Sequence, residues 1–320
     1  MKKIAVLTSG GDAPGMNAAI RAVVRAGISC GMEVMGVRRG YNGLLDNDVF
    51  PMDLRSVSNI LQMGGTCLFT ARSPEFNTPA GVKKAADNCR RLGIEGLVVI
   101  GGDGSFRGAR DLCAEGIRCI GLPGTIDNDI SCTDYTIGYD TAMNTAIDMV
   151  DRIRDTMMSH DRCSVVEVMG HHAGYLALNT GLAVGATAIL VPEEKYDIDR
   201  DVIQPIKRSQ ATGKKNFIIV VSELMLNVDD LCKEIEAKTG VETRGCVLGH
   251  VQRGGSPTAR DRVLASEMGY HAVQLLNQGK SMRVVGIHED KLVDYDITEG
   301  LAIKKPFDWE LLQIARTISI

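Results

Sequence analysis

The chain has 320 residues, 24% charged and 44% hydrophobic, the proportions of a globular protein that buries an ample core without a partner or staple. A formal net charge of -4 with no basic run argues against a nucleic-acid surface, which needs clustered Lys and Arg. The amino-terminal apolar run, Ile4 to Leu7, is too short for a signal peptide or a membrane span, so a cytoplasmic protein with no membrane partner is expected. The nine cysteines are an odd number, scattered without a C-x-x-C pair, and read as reduced core thiols.

Strand-length apolar runs alternate with helix-length amphipathic stretches, the pattern of an α/β protein with parallel sheets. Ile4 to Leu7 reads as a first strand, Gly10 to Gly15 as a turn, Met16 to Ala26 as a helix and Glu33 to Val37 as the next strand. Further strands are expected at Leu97 to Ile100, Cys119 to Leu122, Ser164 to Val168, Ala188 to Val191, Phe217 to Val221 and Val284 to Ile287. Helices are expected over Thr141 to Thr156, with Ala142, Ala146, Met149, Val150 and Ile153 on one stripe, and over Asp261 to Leu276. The length exceeds the roughly 250 residues at which one core stops growing, so two lobes are expected, with a ligand cleft between them. Composition marks no boundary; the clustering of polar turns puts it near residue 140, with the last segment free to return to the first lobe.

Three glycine-rich polar turns follow expected strands, at the edge where an open parallel sheet binds its ligands. The first, Thr8-Ser9-Gly10-Gly11-Asp12-Ala13-Pro14-Gly15-Met16-Asn17, leads into a helix whose free N–H groups and positive dipole end suit a phosphate. It lacks the Gly-Lys-Ser/Thr of a Walker A loop, and a ligand-free tight turn has the same signature. In the second, Gly101-Gly102-Asp103-Gly104-Ser105, small residues let a polyphosphate approach the backbone, and Asp103 offers a hard oxygen for magnesium unless it only caps the next helix. Its run to Gly108 misses the dinucleotide fingerprint by one residue, which disfavours a nicotinamide cofactor. The third, Pro123-Gly124-Thr125-Ile126-Asp127-Asn128-Asp129, carries two carboxylates whose repulsion must be offset and which are not expected in the core. One of them could take the proton of an attacking hydroxyl in phosphoryl transfer; a solvated acidic turn is the bland alternative.

Phosphoryl transfer also needs cations for the charge spread over several oxygens. Arg72, Arg162, Arg244 and Arg253 lie near polar turns, and Arg253, with His250 three residues earlier, could clamp a sugar phosphate. His171 and His172 are not read as a metal pair, because adjacent side chains diverge in helices and strands.

These turns, in order, together with Val166-Glu167-Val168-Met169-Gly170 and Gly249 to Pro257, resemble the bacterial-type 6-phosphofructokinase family along essentially the whole chain. The resemblance implies a three-layer α/β/α fold with two lobes, each built on a mainly parallel sheet with flanking helices. It implies an ATP-binding lobe at 1-140, rejoined by about 255-305, and a sugar-phosphate-binding lobe at 141-254. It also implies a magnesium-dependent, cytoplasmic enzyme of glycolysis, a homotetramer that moves the γ-phosphoryl group of ATP to fructose 6-phosphate.

Carried over by position, Asp127 looks like the general base on the sugar 1-hydroxyl, with Thr125 and Asp129 beside it. Asp103 looks like the magnesium ligand. Gly11, Tyr41, Arg72, Phe76, Gly102, Gly104, Ser105 and Gly108 match positions around ATP, Arg72 also bridging the reacting phosphates. Met169, Gly170, Glu223, His250 and Arg253 match the fructose 6-phosphate set, and Arg162 and Arg244 the arginines that reach in from a neighbouring subunit. Diphosphate-using relatives, the alternative, carry a carboxylate and a lysine where this chain has Gly104 and Gly124, which favours ATP.

Departures are His171, where family members often have Arg, and the pocket that in the family takes ADP or phosphoenolpyruvate. That pocket keeps Arg21, Arg25, Arg154, Gly185 and Lys214, but Leu54, Asn59, Thr187 and Thr212 have drifted, so weakened regulation by magnesium ADP is expected. A nicotinamide or diacylglycerol kinase also has a Gly-Gly-Asp-Gly turn but lacks Thr-Ile-Asp-Asn-Asp in this context. A catalytically dead regulatory subunit would lack Asp127 or Asp103.

Overall fold

The computed structural model describes residues 1–319. In chain order its strands are β1 Lys3–Thr8, β2 Glu33–Val37, β3 Val49–Met52, β4 Gly96–Gly101, β5 Arg118–Pro123, β6 Cys163–Val168, β7 Ala188–Leu190, β8 Phe217–Ser222, β9 Thr243–Val247, β10 Arg283–His288 and β11 Lys291–Asp296. The helices are α1 Met16–Ser29, α2 Tyr41–Asp46, α3 Pro79–Arg91, α4 Asp103–Ala114, α5 Tyr139–Met158, α6 Tyr175–Ala183, α7 Gln204–Ala211, α8 Val228–Thr239, α9 Ala259–Asn277, α10 Ile297–Ala302 and α11 Trp309–Ile318. Among the described residues no helix is long and apolar enough to cross a membrane.

The chain divides into two compact units. One comprises Met1–Ile126, Ile130–Thr141 and Arg253–Lys305; the other comprises Asp127–Asp129, Ala142–Gln252 and the described part of the segment from Pro306. The first holds a seven-stranded sheet in the order β11-β10-β5-β4-β1-β2-β3, parallel except for the outer pairs β10/β11 and β2/β3. Its central strand β4 is buried at all six residues, because helices cover both faces. Pro51 sits in β3, an edge strand, where its missing N–H breaks no ladder. Helices α1 and α9 approach so closely that a Cβ on Gly269 would lie 2.8 Å from Ala22 Cβ and 2.9 Å from the Ala19 carbonyl oxygen.

The second unit holds a four-stranded, wholly parallel sheet, β7-β8-β6-β9. Its core strand β8, Phe-Ile-Ile-Val-Val-Ser, is buried at every residue. Helix α8 starts on an Asn227 cap that accepts the Asp230 N–H at 3.1 Å and stops at the left-handed Gly240.

Asp261, 0% exposed, ties α9 to the start of α5. It accepts the Gly138 N–H at 2.9 Å, the Thr141 N–H at 2.8 Å and the Thr141 hydroxyl at 2.5 Å. Thr258 caps α9 and donates its own hydroxyl to Asp140 at 2.6 Å. Burial raises the Asp261 pKa against these hydrogen bonds, which lower it. On this group alone stability is greatest below the unfolded-state pKa and declines as pH rises through the folded-state value. Asp261→Ala leaves two buried N–H groups without an acceptor, so a loss of about 3 kcal/mol is expected, read as a clear fall in Tm. A Tm within about 1 °C of the parent would show that other contacts hold the segment.

Candidate active site

In the first unit, two of the three glycine-rich turns sit at the carboxyl ends of adjacent parallel strands, β1 and β4. Gly10 takes the left-handed region (φ 86°), and its carbonyl accepts the Thr70 hydroxyl at 2.6 Å. Asn17, the first turn's last residue, is structural: its amide donates to the Met63 and Gly64 carbonyls, and its oxygen accepts the Cys67 N–H at 2.7 Å. Arg253 also belongs to this unit and donates to the Asp12 carbonyl at 3.2 Å, its guanidinium filling the space a Cβ on Gly11 would need. Arg72 is exposed, its carbonyl held by Asn42 at 3.1 Å.

The second turn starts α4. Gly102 is the N-cap and Asp103 lies in the first helical turn, a position the helix dipole favours for a carboxylate. Among the described residues no group of three or more His, Cys, Asp or Glu could hold a metal ion. A Cβ on Gly104 would meet nothing within 4 Å, so the turn is open there. Further along α4, a Cβ on Gly108 would lie 2.8 Å from both the Tyr41 and Phe76 rings, which stack at 3.9 Å and 9°. The Tyr41 hydroxyl donates to the Ser105 carbonyl at 2.5 Å. Tyr41, Phe76, Ser105 and Gly108 thus form one cluster, although 35 residues separate the two rings in sequence.

The third turn follows β5. Thr125 is buried, and its carbonyl accepts the Thr136 hydroxyl at 2.6 Å. Of the two carboxylates expected to stay out of the core, Asp127 is buried at 8% exposure, which corrects the expectation for that residue, while Asp129 is half-buried; Asn128 between them is buried too. Asn128 takes φ 52°, a left-handed conformation that Asn tolerates better than most residues.

In the second unit, which contains Asp127 to Asp129, one oxygen of Glu223 accepts the N–H groups of Gly170 at 3.1 Å and His171 at 2.8 Å. The Met169 N–H donates to Gln252 Oε1 at 2.9 Å. His171 has φ 56°, so this is neither helix nor strand, and the His171 and His172 rings meet at 4.2 Å instead of diverging. Arg162 and Arg244, at β6 and β9, converge on Glu242 at 2.8 and 2.5 Å, and Arg162 foremost lowers the Glu242 pKa. His250 is exposed in a single 3-10 turn, Gly249–Arg253.

A family model for phosphofructokinases matches residues 3–276. The chain belongs to the phosphofructokinase family. It is 57% identical to the "ATP-dependent 6-phosphofructokinase" of Clostridium tetani and 55% to that of Clostridium botulinum strain Hall, in each case over all of both chains. Among solved structures, phosphofructokinase from Saccharomyces cerevisiae matches 94% of the chain at 38% identity with a TM-score of 0.87; the chain spans 45% of that longer polypeptide. A pyrophosphate-dependent phosphofructokinase from Marinobacter aquaeolei, at 20% identity over 98% of this chain and 91% of its own with a TM-score of 0.87, shares the fold.

Arg154, Gly185 and Lys214 gather in the second unit. Arg154 donates to the Val184 carbonyl next to Gly185 (φ 60°), and Lys214 to Thr187 Oγ1 at 3.4 Å and the Ser319 carbonyl at 3.3 Å. Burial, then the Arg154 charge, lowers the Lys214 pKa. Arg21 and Arg25 lie on α1 in the first unit, and Leu54 is exposed.

Sequence reasoning missed two neighbours of these residues. Gln252, 0% exposed, holds Met169, and its only signal was its place between His250 and Arg253. Tyr175 is pushed up to about 12 by burial and by the Glu193 and Asp129 carboxylates, so its phenol stays protonated beside Asp129 at neutral pH.

Proposed function

We propose that the chain is an ATP-dependent 6-phosphofructokinase, transferring the γ-phosphoryl group of ATP to the 1-hydroxyl of fructose 6-phosphate to give fructose 1,6-bisphosphate and ADP. The observation that carries this is full-length identity of 55–57% to relatives of that name. The first unit takes ATP on the backbone of Gly11, Gly102, Gly104 and Ser105, with Gly108 and the Tyr41–Phe76 pair beside the base. The second takes the sugar phosphate on Met169, Gly170, His171, Glu223 and His250, and Arg253 adds its guanidinium. Asp127 accepts the 1-hydroxyl proton as that oxygen attacks phosphorus, and Thr125 and Asp129 orient the reacting groups. Arg72 meets the charge that builds on the transferred group.

Asp103, with the ATP phosphates, would hold magnesium, which would supply charge neutralisation at the phosphates. Arg162 and Arg244 act across a subunit contact of a homotetramer in the cytoplasm. The Arg154, Gly185 and Lys214 cluster, with Arg21 and Arg25, takes an anionic effector such as ADP or phosphoenolpyruvate.

The test is a coupled assay for fructose 1,6-bisphosphate with fructose 6-phosphate and magnesium, offering ATP or diphosphate as donor. Turnover with ATP, and at least about a hundredfold less with diphosphate, is expected, because a donor the site cannot hold loses the interactions of the transition state. Diphosphate turnover equal to that with ATP would overturn the donor assignment, and no turnover with either would leave a nucleotide-binding regulatory chain.

A further inference from the structure

The segment Thr133-Asp134-Tyr135-Thr136-Ile137 runs from the third turn towards α5 and takes no part in the transfer as proposed, yet it is bonded along its length. Its start is fastened to the end of β10. The Thr133 hydroxyl accepts the Ile287 N–H at 3.0 Å, the Asp134 N–H donates to the Ile287 carbonyl at 2.8 Å, and the Asp134 carboxylate accepts the Glu289 N–H at 2.8 Å. Just past its end, Asp261 holds the Gly138 N–H. All of these residues belong to the first unit.

Between those anchorages the segment meets the turn that follows β5. Ile137 donates its N–H to the Pro123 carbonyl at 2.8 Å and accepts the Thr125 N–H at 3.1 Å, a parallel bridge opposite Gly124. The Thr136 hydroxyl donates to the Thr125 carbonyl at 2.6 Å. Both backbone polar groups of Thr125 are therefore held, the N–H by Ile137 and the carbonyl by Thr136, which fixes the point from which the Thr125 side chain projects. The two Ile137 bonds are made by backbone and tolerate any side chain there; the bond to the Thr125 carbonyl needs a hydroxyl at position 136. Thr136 is 0% exposed, a place where a hydroxyl is costly unless bonded and where a valine of nearly the same shape would fill the space. Filling that space does not call for threonine; holding Thr125 does.

We propose that Thr136 is a positioning residue of the phosphoryl transfer and acts through Thr125. Its hydroxyl fixes the Thr125 peptide on a support tied to β10 and to α9, so that the Thr125 side chain meets the reacting groups in one orientation. The inference rests on the role proposed above for Thr125. It gives a side chain outside the binding set a share in the rate, because a positioning group displaced by about 1 Å costs up to about a hundredfold.

The experiment compares full-length Thr136→Val and Thr136→Ser with the parent in the coupled assay, at saturating ATP, magnesium and fructose 6-phosphate. Thr136→Val is expected to lower kcat at least about fivefold while each KM stays within about twofold, and Thr136→Ser, which keeps the hydroxyl, to recover at least about half of the parent kcat. A Thr125→Ala background separates aiming from mere support of the fold. Alone it is expected to lower kcat at least about fivefold, and adding Thr136→Val to cost no more than about twofold further, since the group being aimed is already gone. A smaller fall in Thr136→Val would overturn the proposal, as would a serine variant as slow as the valine one, a Thr125→Ala enzyme as fast as the parent, or a larger further loss in the double variant. Hydrogen exchange at the Thr125 N–H gives a reading without turnover. It is expected to be at least about tenfold faster in Thr136→Val than in the parent, and unchanged exchange would overturn the proposal. A parent with no turnover on ATP would defeat the assignment of the reaction instead, and the exchange would still decide whether Thr136 holds the turn.

Discussion

Asp127→Asn is expected to lower kcat with ATP and fructose 6-phosphate by at least about a hundredfold, and by as much as about ten-thousandfold, while KM for the sugar phosphate and Tm change little. The amide keeps the shape of the side chain and loses its ability to accept a proton. Asp127 is well placed for such a replacement to be clean: it is 8% exposed, between Ile126 and Asn128, both buried, so the surrounding chain constrains the side chain in either form. A general base contributes only as the proton moves, hence the effect falls on kcat and not on ground-state binding. The readout is the coupled assay at saturating donor with a melting curve of the same sample. A kcat within about tenfold of the parent would remove Asp127 as the base and turn attention to Asp129, the other carboxylate of the turn.

The most plainly legible strands were central ones buried on both faces. Ile4 to Leu7, Leu97 to Ile100 and Phe217 to Val221 are unbroken apolar runs because helices flank central parallel strands. The strands that escaped, β3, β9 and β11, all lie at sheet edges. Val49-Phe50-Pro51-Met52 contains a proline, Thr243 to Val247 exposes Arg244, Gly245 and Val247, and Lys291 to Asp296 is half-buried, so none carries a clean apolar run. The site was legible in its turns, since glycines and carboxylates after apolar runs have few other uses. Its contacts across long sequence separations were not. Arg253 reaches the Asp12 carbonyl 241 residues away, and Gln252 holds Met169 83 residues away. No local pattern announces either. The same holds for Cys113 and Ser281, on segments 168 residues apart, where scattered cysteines looked like core filling.

Gly104→Asp is expected to cut kcat/KM for ATP by at least about a hundredfold without lowering Tm. The backbone there is free of positive φ strain, and an added Cβ meets nothing within 4 Å, so the fold has no reason to resist the side chain. An acidic residue in the first turn of α4 is mildly favourable to the helix, by about 0.3–1 kcal/mol, so stability is unchanged or slightly raised. The penalty comes from charge. A second carboxylate beside Asp103, where the triphosphate is proposed to lie, meets it at an effective dielectric near 20 with a repulsion of about 4 kcal/mol for unit charges 4 Å apart. Part of that is relieved by salt and by rotation of the side chain away, which leaves the hundredfold floor. Gly104→Ala fills similar space without charge and is the control, expected to keep most of the ATP activity. Gly124 is the poorer probe, because its Cβ would press on Ile100 at 3.0 Å and Met16 at 3.1 Å and so mix packing with donor recognition. If Gly104→Asp uses ATP as well as the parent does, the phosphates do not pass this turn, and the glycine argument for ATP over diphosphate loses its structural basis.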